Sequence, residues 1–188
     1  MPLPPLGIFD GVAAGAASSF ESIATVTVGS GGASSISFTS IPGTYTHLQI
    51  RALALTGSGQ SSGDLRYRAN SDSGTNYISH YMEGNGSSVG AGVAMTSGAT
   101  NYGSVGQVRG GNTYPDVFVC DILDYANTNK YKTFRSLAGD DQNGSGLIAF
   151  RSSLWMSTSA ITSIEFTLLS SLSFTNYSHF GLYGIKSA

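Results

Sequence analysis

His47-Leu48-Gln49-Ile50-Arg51-Ala52-Leu53-Ala54-Leu55-Thr56 decides the fold class. Leu48, Ile50 and Ala52 alternate with Gln49 and Arg51. A period of two puts one set on each face of a strand, as in an antiparallel sheet with one face buried and one wet. The same grammar recurs on both sides. Ser22 to Val28 is β-branched, and Ala33 to Thr39 carries Ile36 and Phe38 on one face. Gly29-Ser30-Gly31-Gly32 lies between them, so the pair is expected to form a hairpin. Ile41-Pro42-Gly43 breaks the sheet.

Further strands are expected at Leu65–Ala69, Tyr77–Met82, Asp116–Leu123, Lys130–Leu137, Leu147–Met156, Ile161–Leu169 and His179–Lys186. Asn70-Ser71-Asp72-Ser73-Gly74 and residues 139–146 have turn chemistry. Residues 84–113 are rich in Gly, Ser, Asn and Thr, and are expected to hold one or two weak strands and a long loop. No segment has a helical period. Roughly nine strands at near-regular spacing predict an all-β, antiparallel β-sandwich, jelly-roll-like, over residues 20–188.

Residues 1–19 follow other rules. Pro2, Pro4 and Pro5 favour extended backbone and exclude a helix or central strand. Leu3, Leu6, Ile8 and Phe9 are apolar without a pattern of their own. A solvated tail seldom carries such residues, so an extended docking arm is expected, with these four side chains burying on a neighbouring subunit.

Charge and composition narrow the function. Only 11% of the 188 residues are charged, against about 25% in an ordinary globular domain. A polar but nearly uncharged surface suits a crowded assembly or an extracellular setting. The net charge of −2 leaves no basic face for nucleic acid, and Arg66 and Arg68 read as the solvent side of one strand. No stretch is apolar for the length a membrane helix requires, and the N-terminus has no secretory pattern, so synthesis in a cytoplasm is expected. Cys120, the single cysteine, sits in an apolar strand and reads as an inert buried thiol.

No catalytic, metal or cofactor constellation is read. His47, His80 and His179 lack metal-ligand spacing, and no Gly-x-Ser-x-Gly element joins a strand to a helix. Asp140, Asp141 and Asn143 form an acidic, amide-bearing loop that could take a calcium ion or a sugar, although turn chemistry explains the same residues. Trp155 is a candidate for stacking on a glycan, set against core packing between Leu154 and Met156.

Three segments carry a family likeness: Met1-Pro2-Leu3-Pro4-Pro5-Leu6-Gly7-Ile8-Phe9, residues 36–51 from Ile36 through Ser40-Ile41-Pro42-Gly43 to Arg51, and Phe180-Gly181-Leu182-Tyr183-Gly184-Ile185-Lys186. Together they resemble small virion proteins of tailed bacteriophages, variously tail-fibre-like, minor tail or head-decoration proteins. The resemblance implies a non-enzymatic structural subunit of a virion, with the major capsid protein or other virion subunits as partners. The absence of a heptad or collagen-like shaft favours a head-decoration (cement) protein, self-associating as a homotrimer. The alternative is a tail-associated protein binding a host glycan through residues 84–113 and 139–146. A glycan hydrolase is disfavoured by the lack of an acid pair.

Overall fold

The computed structural model describes residues 18–57, 63–96, 98–109, 111, 113–169 and 172–186. The arm residues Leu3, Leu6, Ile8 and Phe9 lie outside this range. The described residues form twelve strands: β1 (Phe20–Thr27), β2 (Ser35–Phe38), β3 (His47–Ala54), β4 (Gly63–Ala69), β5 (Tyr77–Gly84), β6 (Val89–Met95), β7 (Gly103–Val108), β8 (Asp116–Leu123), β9 (Lys132–Asp141), β10 (Gly146–Trp155), β11 (Ile164–Leu168) and β12 (His179–Ile185).

They build two antiparallel sheets. The larger has eight strands in the order β1-β12-β3-β8-β9-β10-β5-β6, and the smaller has four in the order β2-β11-β4-β7. The expected all-β fold of two packed sheets is present. The stretch at 47–56 is the third strand of the large sheet, where Leu48 and Ile50 are fully buried and pair with Gly184 and Leu182 of β12 and with Ile122 and Cys120 of β8.

The core lies between the sheets. Phe180 is packed by Phe118 at 5.5 Å, Phe166 at 5.6 Å and Phe174 at 5.2 Å between ring centroids, in edge-on and tilted geometries. A second cluster stacks Tyr67 on Phe134 at 3.9 Å. Glycine admits one of these rings: a Cβ on Gly103 would lie 2.1 Å from the Tyr67 ring and 2.6 Å from Ser153 Oγ. Tyr45 is seated over β12 in the same way, since a Cβ on Gly184 would lie 2.4 Å from its ring.

One expectation needs correction. β1 and β2 are not a hairpin. β1 pairs with β12 in the large sheet and β2 with β11 in the small one. Gly29–Gly32 therefore carries the chain from one sheet to the other, closed by a Gly32 N–H bond to the Gly29 carbonyl at 3.0 Å and with Gly32 at φ +70°. The stretch 84–113 holds two strands, β6 and β7, within the one or two expected. β6 is mostly exposed, but β7 is almost wholly buried, and its serines and glycines suit a strand packed close against β9 and β10.

Candidate interaction surface

The alternation that builds the core leaves an outward side chain at every second position of the large sheet. On β1, β12 and β3 several of these are polar. From β8 onward two neighbouring rows are largely apolar. Register fixes two neighbouring rows on the outer face. One runs Leu53, Val117, Gly139, Ile148, Gly84, Val89 across β3, β8, β9, β10, β5 and β6. The next runs Arg51, Val119, Leu137, Phe150, Met82, Ala91 across the same strands. Leu137 is 58% exposed, Ile148 67%, Met82 61% and Val89 90%. Five strand spacings make this band ~24 Å wide. Isolated apolar side chains on a surface are ordinary, whereas a contiguous band of this kind marks an interaction site.

A groove of about 800 Å³ lies at one end of the band, with Val117, Val119, Leu137 and Ile148 among its lining residues and His179 and Tyr183 of β12 on its flank. Gly139 deepens it, because a Cβ there would meet the Leu147 carbonyl oxygen at 2.9 Å. The third row, Gln49, Asp121, Arg135, Ser152 and His80, is polar and bounds the band. Gln49 donates to Asp121 Oδ1 at 2.7 Å and accepts from Arg51 Nε at 2.8 Å. That chain holds the Arg51 guanidinium 5.1 Å from the ring of Phe20 and 5.8 Å from that of Tyr183, and these two rings stack at 4.9 Å. Phe20, the first residue of β1, thus backs Tyr183, which lines the groove.

Asp116 and Asp140 stand side by side beneath the end of the groove, on the inward side of β8 and β9. Burial pushes the Asp116 carboxyl up to about 7, and the Asp140 charge adds to the rise. The Arg109 amide, which donates to Asp116 Oδ2 at 2.9 Å, offsets part of it. Arg109 Nε lies 3.7 Å from Asp140 Oδ1.

The residues proposed for glycan or calcium binding are not brought together. Trp155 is 2% exposed and donates from Nε1 to Asp72 Oδ2 at 2.7 Å, so its indole is a core side chain with no face for a sugar. Asp140 points inward and Asp141 outward, because adjacent strand residues take opposite faces. Residues 142–145 make only a short turn between β9 and β10, in which Asn143 has φ +40°. Among the described residues, no group of three or more His, Cys, Asp or Glu could hold a metal ion. His47, His80 and His179 stand opposite different neighbours: Leu123, Ser152 and Leu53. Cys120 is fully buried, and burial raises its thiol far above the usual range.

A scan of protein-family models matches none of them, and searches of curated proteins and of solved structures return no match. The outward apolar rows were the residues the sequence reading missed. Their signal lay in Asp116–Leu123, where Val117 and Val119 are apolar in one parity and Phe118, Cys120 and Ile122 in the other. Such a run reads equally as a strand buried on both faces.

Proposed function

We propose that the protein is a non-enzymatic structural subunit of a tailed-bacteriophage virion, most specifically a head-decoration protein. The observation that carries this reading is the apolar outer face of the large sheet on a domain with very little charge. A chain with such a face has a partner to cover it, and a densely packed particle surface provides one. The likeness of residues 1–9, 36–51 and 180–186 to small virion proteins supplies the phage context. Copies of the chain, three around a local threefold, and the major capsid protein are the proposed partners.

Strand order supports a jelly roll as the finer description of the fold. The sets β1-β12-β3-β8 and β2-β11-β4-β7 have the interleaving expected of an eight-stranded jelly roll. On that reading the β5–β6 and β9–β10 hairpins are additions that pair with each other and widen one sheet. They bring most of the apolar band with them.

The glycan-binding alternative loses its named aromatic, since Trp155 is buried, and the groove is walled mainly by aliphatic side chains. Immunogold labelling of intact virions with antibody to residues 20–188 tests the assignment. Gold over the head is the expected result. Gold confined to the tail would move the protein there, and an unlabelled particle with an accessible epitope would remove the virion reading.

A further inference from the structure

We propose that the groove on the outer face of the large sheet is the receptor for residues 3–9 of the N-terminal arm of a second copy of this chain. The inference rests on the reading of residues 1–19 as a docking arm and deepens it by naming the surface on which the arm docks.

Three observations converge. The first is where the described chain begins. β1 runs from Phe20, opposite Ile185, to Thr27, opposite His179. The ladder continues one step outward, with Lys186 N–H donating to the Ser19 carbonyl at 2.9 Å. The described chain therefore begins past Ile185, at the opposite end of β12 from His179, which flanks the groove. An arm continuing the line of β1 would run away from its own groove and toward a neighbouring molecule.

The second is length. From β12 to β10 the groove crosses four strand spacings, ~19 Å. Leu3 to Phe9 is six residue steps, and proline-rich extended backbone advances ~3.1 Å per residue, which again gives ~19 Å. The eight residues 10–17, Asp-Gly-Val-Ala-Ala-Gly-Ala-Ala, have no large aromatic or long aliphatic side chain and can span up to ~26 Å between the docked segment and its own domain.

The third is chemistry. Leu3, Leu6, Ile8 and Phe9 are apolar, residues 2–9 carry no charged side chain, and Val117, Val119, Leu137 and Ile148 line the groove, with Arg51, His179, Asp140 and Asp141 also on its lining. The first charged side chain after Phe9 is Asp10. Arg51 stands at the β12–β3 end of the groove, beside the stacked Phe20 and Tyr183 rings. This fixes a polarity: Phe9 and Asp10 at the Arg51 end, Leu3 toward Ile148.

Disulfide trapping in the purified full chain tests the proposal, since Cys120 is buried and does not compete. Leu6→Cys combined with Leu137→Cys is oxidised and run on a non-reducing gel. Links between chains, together with a self-association at least tenfold weaker for Leu137→Asp by sedimentation, are expected. A link confined to single chains overturns the second-copy occupant. The absence of any link, with both thiols shown to be reactive, overturns the groove as receptor. An unchanged melting curve for Leu137→Asp separates lost docking from lost folding. These results are independent of virion labelling: a chain that traps its own arm yet labels no particle keeps this inference and loses the phage assignment.

Discussion

Trp155 separates two roles that its sequence context left open. Its indole N–H is used by Asp72, which also accepts from Gly74 N at 2.8 Å and Asn76 Nδ2 at 2.9 Å, so the side chain locks the turn between β4 and β5. Trp155→Ala should cost ~3–5 kcal/mol of stability, the range for emptying a large core site. Chemical denaturation reads this, and a variant within ~1 kcal/mol of the parent would contradict the core role. Asp116 carries a pH signature. Its carboxyl holds a proton in the folded chain up to about 7, while the unfolded chain releases it near the ordinary value of ~4. Between those values the folded state binds more protons, so this group's contribution to stability falls as pH rises from ~4 to ~7 and stays low above. Asp116→Asn keeps an acceptor for the Arg109 amide and removes the titration. The variant should exceed the parent by ~1–2 kcal/mol at pH 8, with the gain shrinking toward pH 4. Melting curves at both pH values decide it, and an equal gain at both would refute the assignment.

Individual strands were legible where one side of the alternation was polar. Leu48, Ile50 and Ala52 against Gln49 and Arg51 located β3, whereas the same rule would turn β10 inside out, since Arg151 and Ser153 face the core and Ile148 and Phe150 face outward. Pairing was less legible. A glycine-rich turn at residues 29–32 serves a hairpin or a crossing between sheets equally well, and the choice rests on distant partners, β12 for one strand and β11 for the other. The β9–β10 turn shows the opposite error. Acidic and amide residues at 139–143 suggested a loop, yet β9 continues to Asp141, and Gln142 and Ser145 close the turn by exchanging backbone hydrogen bonds. β8 hid the candidate surface because apolar side chains on both faces are the pattern of a doubly covered strand. The outward members of that pattern are dispensable to the isolated fold. Leu137→Lys and Phe150→Lys should each leave stability within ~0.5 kcal/mol of the parent and lower self-association. Thermal melts alongside light scattering check both halves. A large loss of stability would mean that these side chains are part of the core.

At the scale of the molecule, composition marked a chain with too little charge for an ordinary solitary surface, and the fold locates where that deficit is concentrated. The division into arm and domain can be sharpened for experiment. Ser19 accepts a ladder bond from Lys186, and Ser18 Oγ donates to the Phe20 carbonyl, so a truncation that respects the sheet removes residues 1–17 rather than 1–19. That truncation should melt within a few degrees of the full chain and, if the proposed virion role holds, bind particles poorly or not at all. Full occupancy after truncation would disprove the anchoring role of the arm. The fully buried Cys120 has a consequence of another kind. A thiol reagent can reach it only when the large sheet opens, because its side chain lies under the second sheet and is held protonated by its surroundings. Oxidants that act on thiols therefore find no accessible cysteine on the folded chain. The rate at which Cys120 is alkylated becomes a clock for complete opening of the sandwich.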